Sequence, residues 1–406
     1  MAVTLFEIKE NCCGCGACAN ACGQKAISME EDEFGFQYPQ IDERKCISCG
    51  ACQKVCGHQS PPTKYRAGAC YGATAKEEPL LERSASGGVF AVLAKEILAQ
   101  GGVVYGAAMP LEQGGFMPKH IRIDDAAELP LIQGSKYVQS DTGTTFLQTK
   151  EDLQADKRVL YSGTPCQIAG LLKYLGKEYD NLLTAEVICH GVPSAKMFRD
   201  FISVQEEMLG GKITGFAFRS KEKKQTKLAI MQLSRQDRIS QLVKAGHELS
   251  YLHYFAKGLI SRDSCYQCPF ATAQRVADIT LGDFWGFHEE YPREHRLNDC
   301  KGISCVLTNT FRGEQIVDAL KAQLTIVNTE SHKIVRHNAQ LNAPCKYSQE
   351  RDVVLRAYRK GGYRAVEDHY RAACKIERLR YSLTALIPQN LKRQLKRMKG
   401  QLKSKR

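Results

Sequence analysis

The sequence predicts an α/β (α+β) domain on a mixed sheet, preceded by a small, separate cysteine-rich domain. Three observations predict it. Eight of the 18 cysteines fall in two runs of identical spacing before residue 57. The Pro- and Gly-rich stretch "HQSPPTKYRAGACYGAT" follows and reads as a linker. From about Leu80 onward, strand-like and helix-like segments alternate, the pattern of a sheet with covering helices. With 406 residues the chain has room for two or three domains. The expected division is 1–60, a linker over 61–79, a main domain over 80–340, and a basic helical tail over 341–406.

The first domain is defined by its cysteines. Cys12, Cys15, Cys18 and Cys22 follow C-x2-C-x2-C-x3-C, and Cys46, Cys49, Cys52 and Cys56 repeat it. Bacterial ferredoxins hold two 4Fe-4S clusters with this run, the fourth cysteine of each run serving the other cluster. The expected ligand sets are therefore Cys12, Cys15, Cys18 and Cys56 for one cluster, and Cys46, Cys49, Cys52 and Cys22 for the second. Small residues between the ligands (Gly14, Gly16, Ala17, Gly50, Ala51) let the backbone wrap closely around sulfide. Gly23 and Gly57 stand where a proline is expected after each fourth cysteine, and Cys13 is surplus to the pattern. The competing reading is a zinc or disulfide module. Two complete four-cysteine runs exceed the paired C-x2-C hooks that zinc needs.

Composition narrows the setting. The N-terminus is acidic and reaches cysteines at once, without a secretory pattern, and no apolar run is long enough to span a bilayer. The expectation is a cytoplasmic, reducing compartment, where cysteines serve as ligands more often than as disulfides. Of the net charge of +13, eight basic residues lie within 392–406 with no acid. The remainder is left with about +5, which weakens any argument for nucleic acid from overall charge.

The main domain reads in order as follows. "ERSASGGVFAVLAKEILAQGG" is a helix with a Ser/Gly start, an apolar period through Val89, Leu93, Ile97 and Leu98, and a glycine stop. "VVYGAAM" is a strand. "KRVLYSGTPCQIAGLLKYLG" is a strand, a tight turn, and a helix with Pro165 in its first turn. "LLTAEVICHGVPSAKMFRDFISVQEEML" repeats that order, with a strand to Ile188 and a helix from about Pro193. "ITGFAFRS", "KLAIMQLS" and "ADITLGDFWG" are further strands.

Cys166 follows one of these strands and Cys189 ends the next. If the two strands run parallel, both thiols emerge at the carboxyl edge, where open α/β sheets bind ligands. "CYQCPF" adds Cys265 and Cys268 as a C-x2-C hook, completing a four-thiolate set for a third 4Fe-4S cluster. The alternatives are ordinary buried cysteines, or a C-x2-C that binds zinc or forms a redox pair. Cys13, Cys70, Cys300, Cys305, Cys345 and Cys374 share no spacing and remain unassigned. Clusters relay single electrons and need a partner for two-electron chemistry, for which flavin is usual. "RSASGG" (Arg83 to Gly88) opens a helix with Ser hydroxyls and bare glycine backbone, which suits a pyrophosphate. It equally suits a capped helix start. No G-x-G-x-x-G follows a strand, so the sequence carries no dinucleotide fingerprint.

Taken together, "RSASGG", "QGSKYVQS", "SGTPCQIAGLLKYL", "ICHGVPS", "CYQCPFA" and "ADITLGDFWG" resemble the coenzyme F-420 hydrogenase/dehydrogenase beta subunit family, in order and spacing, over about residues 65–320. The double cysteine run also occurs in members of that family, whose relatives are similar to chlorophyll-derivative reductases and formate dehydrogenase beta subunits. The resemblance implies a flavoprotein domain behind a two-cluster ferredoxin-like domain. It implies an FAD- and iron–sulfur-dependent oxidoreductase passing electrons between 4Fe-4S clusters and an organic two-electron acceptor or donor. By the same resemblance Ser84, Ser86, Gly87 and Gly88 fall on the flavin-contacting helix start. Lys136, Tyr137, Val138 and Gln139 fall on a second flavin motif, and Asp283 on the Gly-Asp after the last cysteine pair. Cys166, Cys189, Cys265 and Cys268 fall on its cluster motifs. The implied partners are a ferredoxin or partner subunit and a small-molecule substrate. Catalytic side chains are unassigned, since one scaffold serves many reactions. The rival reading is a non-catalytic electron-relay subunit of a larger redox complex.

The final segment has its own pattern. Leu391, Leu395, Met398 and Leu402 form an apolar helical stripe among eight basic residues. Such a helix lies in an anionic membrane interface, which would place the protein peripherally at the inner face of the membrane. The competing reading is a solvated tail. Without interleaved aromatics, specific nucleic-acid binding is not expected. Sedimentation with anionic liposomes separates the two: on the membrane reading the full chain binds at low salt, salt weakens binding, and truncation at Pro388 abolishes it. Equal binding by the truncated chain would remove that reading.

Overall fold

The structure is a computed structural model that describes residues 4–221, 228–236 and 238–376. The basic stripe of the C-terminal segment therefore lies outside the described residues. In the N-terminal domain, β1 (Ile27–Glu31) and β2 (Gln37–Ile41) pair antiparallel. The short helices Ala17–Ala21 and Ala51–Lys54 each follow a glycine with positive φ, Gly16 and Gly50, inside the two cysteine runs.

The main sheet draws on β3 (Cys70–Ala75), β4 (Val103–Ala108), β7 (Lys119–Ile123), β8 (Val159–Gly163), β9 (Leu182–Val187), β13 (Ile279–Asp283), β14 (Ser304–Thr308) and β15 (Leu324–Thr329). The minor hairpin β5 (Leu111–Glu112) and β6 (Gly115–Phe116) separates β4 from β7. The spatial order is β15-β3-β14-β13-β9-β8-β4-β7. Its four middle strands, β13, β9, β8 and β4, run parallel, and the flanking pairs are antiparallel. A separate antiparallel sheet holds β10 (Lys212–Ser220), β11 (Leu228–Arg235) and β12 (Arg238–Ala245).

The helix Pro165–Leu175 shows why the strand–turn–helix segments are readable. Thr164 and Gln167 form a capping box, Pro165 occupies the first turn, and Gly176 closes the C-terminus with φ of 69°. Its apolar face joins Val103, Tyr105, Val159 and Tyr161 in one core, to which Ala17 of the N-terminal domain also belongs.

Two expectations about boundaries are corrected. The stretch read as a linker over 61–79 ends in β3, a fully buried strand between β14 and β15. Being buried on both faces, it lacks the alternation that marks a half-exposed strand. The segment read as a tail over 341–406 contains the helix Gln349–Ala373, kinked at Gly361 and Gly362. Val354, Leu355, Tyr358, Tyr363, Val366 and Tyr370 on it share a core with Phe198 and Phe201 of the helix Ala195–Leu209. No described helix is long and apolar enough to cross a membrane.

The N-terminal domain packs tightly on the main domain. Thr142 Oγ1 donates to the Cys15 carbonyl at 2.8 Å, Asn20 Nδ2 to Gly143 at 2.8 Å, and Arg359 forks onto Glu33 at 2.7 Å. Gly57, in place of the expected proline, faces the backbone of the helix Pro165–Leu175, where a Cβ would meet Ala169 O at 2.6 Å. Around Gly23 nothing lies that close, and its place in the pattern has no structural explanation. Overpacking of this kind costs about 1–3 kcal/mol. Gly57→Val therefore lowers the denaturation midpoint of the visible cluster absorbance, whereas Gly23→Ala leaves it unchanged.

Candidate functional site

Three cavities, each lined by four predicted cysteine ligands, lie in a row. The first is lined by Cys12, Cys15, Cys18 and Cys56, the second by Cys22, Cys46, Cys49 and Cys52. The exchange of the fourth cysteine between runs follows from the hairpin, which returns each run's end beside the other run's start. Cys52 also borders the first cavity, so the two are neighbours.

The third cavity is lined by Cys166, Cys189, Cys265 and Cys268. Parallel pairing of β8 with β9 brings the first two to one sheet edge, and the loop after the helix Ser250–Ala256 carries the hook. The loop is held by Arg351, whose Nη2 donates to Asp263 Oδ1 at 2.6 Å. The spaces enclose about 410, 520 and 570 Å3 measured to their mouths, room for polyatomic groups. No three or more described His, Cys, Asp or Glu side chains converge as closely as one metal ion requires.

Burial pushes the Cys189 thiol up to about 12 and the Cys268 thiol up to about 11. Thiolates at such positions require a cationic occupant to offset desolvation. Donors also await an acceptor at these walls. Arg275 is buried, with its Nε on Glu186 and Nη1 on the Phe270 and Thr272 carbonyls at 2.8 and 2.9 Å, while its Nη2 has no partner. His190 Nδ1 and His58 Nδ1 are buried and unpartnered. All three residues line the third cavity, and His58 lines the first as well. Sulfide-bearing clusters accept hydrogen bonds of this kind, and buried polar groups left without partners are uncommon.

The surplus cysteine has a place. Cys13 is buried and lines both the first and the third cavities. Its thiol donates to Cys15 and Cys166. That hydrogen bond draws the Cys166 thiol down to about 7 while Cys13 itself is held protonated.

A second polar group lies on the same carboxyl edge. Asp283 ends β13 and accepts Arg219 Nη1 at 2.6 Å. The Tyr137 hydroxyl is within hydrogen-bonding reach of Arg219 and Ser135. Lys221 Nζ donates to Ser86 O at 2.6 Å and to Leu81 O, and burial pushes it down to about 7. Ser84 Oγ accepts from Gln133 at 3.4 Å, and Gln133 and Leu131 carbonyls hold Lys136 Nζ at 2.8 and 3.1 Å. Burial pushes Lys136 down to about 7. Ser86 Oγ is buried without a partner.

Ser84, Ser86, Lys136, Tyr137 and Asp283 are thus brought together, and Gly88 begins the helix Val89–Ala99 with φ of 80°. Three expected positions are not in contact with this group in the same way. Gly87 is closed against protein: a Cβ there would strike Ala73 O and come within 2.7 Å of Ser304 N. Its missing side chain is explained by strand packing, not by approach to phosphate. Val138 is a core residue. Gln139 donates to the Cys13 carbonyl at 2.9 Å and belongs to the cluster side. Sequence reading missed Arg219 and Lys221. Their spacing of two at the end of β10 was the available signal, since it puts both on one face of the strand.

The two polar regions are connected. The His190 ring lies 5.4 Å from Phe255, which stacks on Tyr137 at 4.6 Å.

Residues 156–333 match the family model for the C terminus of the coenzyme F420 hydrogenase/dehydrogenase beta subunit, and residues 11–60 match a 4Fe-4S dicluster domain. Among solved structures, similarity is found to a chain of the F420-reducing [NiFe] hydrogenase complex from Methanosarcina barkeri, studied by xenon derivatization. It is 15% identical with a TM-score of 0.45, over 73% of this chain and 94% of that one. No curated protein matches.

Because Cys13 borders two ligand sets without completing either, Cys13→Ser leaves iron and acid-labile sulfide unchanged in anaerobically prepared protein. Cys166→Ser removes about a third of both, as loss of one of three 4Fe-4S sites requires.

Proposed function

Since residues 156–333 of this chain belong to the coenzyme F420 hydrogenase/dehydrogenase beta subunit family, behind a 4Fe-4S dicluster domain, we propose an iron–sulfur oxidoreductase that exchanges electron pairs with an organic substrate through FAD. One observation carries the reading. The three cysteine-lined cavities share walls in the order second, first, third, and His190, Phe255 and Tyr137 continue from the third to the Asp283–Arg219 group.

The residues fit the group that the family implies. FAD supplies the change from one-electron to two-electron chemistry. Lys221, Arg219 and Lys136 supply cationic donors for its pyrophosphate, and Ser86 Oγ a hydroxyl with no other partner. Asp283 holds Arg219 in place. Tyr137, flanked by Phe255 and Phe218, offers an aromatic wall. On the cluster side, the cysteines bind, while Arg275, His58 and His190 donate to sulfur and exclude water. The family name describes a beta subunit, and a partner protein that delivers or removes electrons at the second cavity, where Cys49 is exposed, fits that description.

The chain's single tryptophan, Trp285, provides the readout, because Arg219 lies 6.0 Å from its ring. FAD titrated into the protein quenches Trp285 fluorescence. Lys221→Met weakens the affinity at least tenfold, consistent with about 1.5–3 kcal/mol for a hydrogen bond to a charged group. A lysine depressed to about 7 carries its charge below that pH, so affinity also falls as pH rises from 6 to 8, and less so in Lys221→Met. Absence of quenching at any FAD concentration would rule out the flavin.

A further inference from the structure

Arg262 is fully buried, and among the described residues no carboxylate pairs with it. Its Nε donates to the Cys12 carbonyl at 2.8 Å and its Nη2 to the Gln37 carbonyl at 2.8 Å. Nη2 also lies 3.8 Å from Cys12 Sγ, and Nη1 reaches Gln139 Oε1 at 3.3 Å. The guanidinium sits 4.0 Å over the Tyr38 ring. The neighbouring carboxylate, Asp263, is engaged by Arg351 instead. Gly14 makes room for this arrangement, since a Cβ there would lie 2.9 Å from Nη1.

Burying a cation among neutral carbonyls is unfavourable unless an anion lies close by. The anions available are thiolates. Arg262 touches Cys12, a ligand of the first set, and lines the third cavity. Its charge opposes the effect of burial on the Cys12 thiol and favours the Cys166 thiolate. The second cavity, with Cys22, Cys46 and Cys49, has no Arg262 on its wall.

A fixed positive charge in a low-dielectric site stabilises whichever oxidation state carries more negative charge. We propose that Arg262 holds the first and third clusters at a higher reduction potential than the second, so that electrons from a reduced partner run downhill from the exposed end to the junction between the domains. Each transfer moves one electron from a reduced centre to its oxidised neighbour, with no bond made or broken. The inference rests on the reading that these cavities hold 4Fe-4S clusters, and makes Arg262 a positioning residue that acts through them.

The test is a redox titration of the anaerobically reconstituted full chain, followed by low-temperature paramagnetic resonance, with iron counted in every sample. The signal of the second cluster is the one that Cys49→Ser removes. In Arg262→Gln, the first and third centres shift at least tenfold toward the oxidised form, about 59 mV for a one-electron couple, while the second centre stays in place. In Arg262→Lys, which keeps the charge, all midpoints stay within that shift of the parent. Retention of iron by Arg262→Lys but not by Arg262→Gln also supports the proposal, since charge is then what the site requires. Unmoved midpoints in an iron-replete Arg262→Gln chain overturn it. So do equal displacements in the two variants, or loss of iron from both. A parent chain without iron would instead refute the cluster reading beneath it.

Discussion

Leu182–Glu186 lie beside Val159–Gly163 in parallel register, and the rest of the site depends on that pairing. Parallel strands end on the same side, so Cys166 and Cys189 must emerge together. β13 joins β9 in the same sense and brings Asp283 to the same edge. The helix that follows β8 then presents its Ala169–Gly170 backbone to Gly57, and a Cβ at Gly170 would lie 2.7 Å from Cys15 Sγ. The docking of the N-terminal domain and the position of the third cavity are consequences of one strand register. An antiparallel β9 would send Cys189 to the opposite edge and leave the hook Cys265–Cys268 with two partners too few.

What can be read from the sequence is local. C-x2-C-x2-C-x3-C spacing fixes where thiolates can point, and it locates both ligand sets, including the exchange of Cys22 and Cys56. Strand, turn, capping box and helix over Val159–Gly176 are all contained within eighteen residues or so. What cannot be read is held by partners distant in the chain. β3 is made of small and aromatic residues that are buried on both faces, and its neighbours β14 and β15 lie more than 200 residues later. Arg262 reaches back 250 residues to Cys12. No periodicity marks such a residue. The helix Gln349–Ala373 is obscured by its basic composition, although its buried tyrosines recur on one face.

Glycine shows the same limit in a sharper form. A missing side chain signals that something approaches closely, but not what approaches. At Gly87 the sequence suggests a phosphate, and the structure supplies the Ala73 carbonyl and Ser304. At Gly57 it shows only a departure from a ferredoxin proline, and the structure supplies a helix backbone. Both are junctions within the protein. The cationic features of the second polar group come instead from Lys221, Arg219 and Lys136, whose spacing in sequence carries no resemblance to a phosphate loop.

The surroundings of the three cavities are costly as protein alone. Thiols at Cys189, Cys265 and Cys268 are pushed up by burial, Arg275 and His190 keep donors without acceptors, and Arg262 has no carboxylate among the described residues. Each of these is unfavourable in a dry interior. Together they are complementary, because a thiolate-bound cluster is cationic at its metal, anionic overall, and an acceptor at its sulfides. One occupant offsets all three defects at once, so that cofactor binding and folding are coupled here. The surplus thiol of Cys13 fits the same logic. It bridges Cys15 and Cys166 as a neutral donor, and so joins two anionic sites without adding a further charge to either.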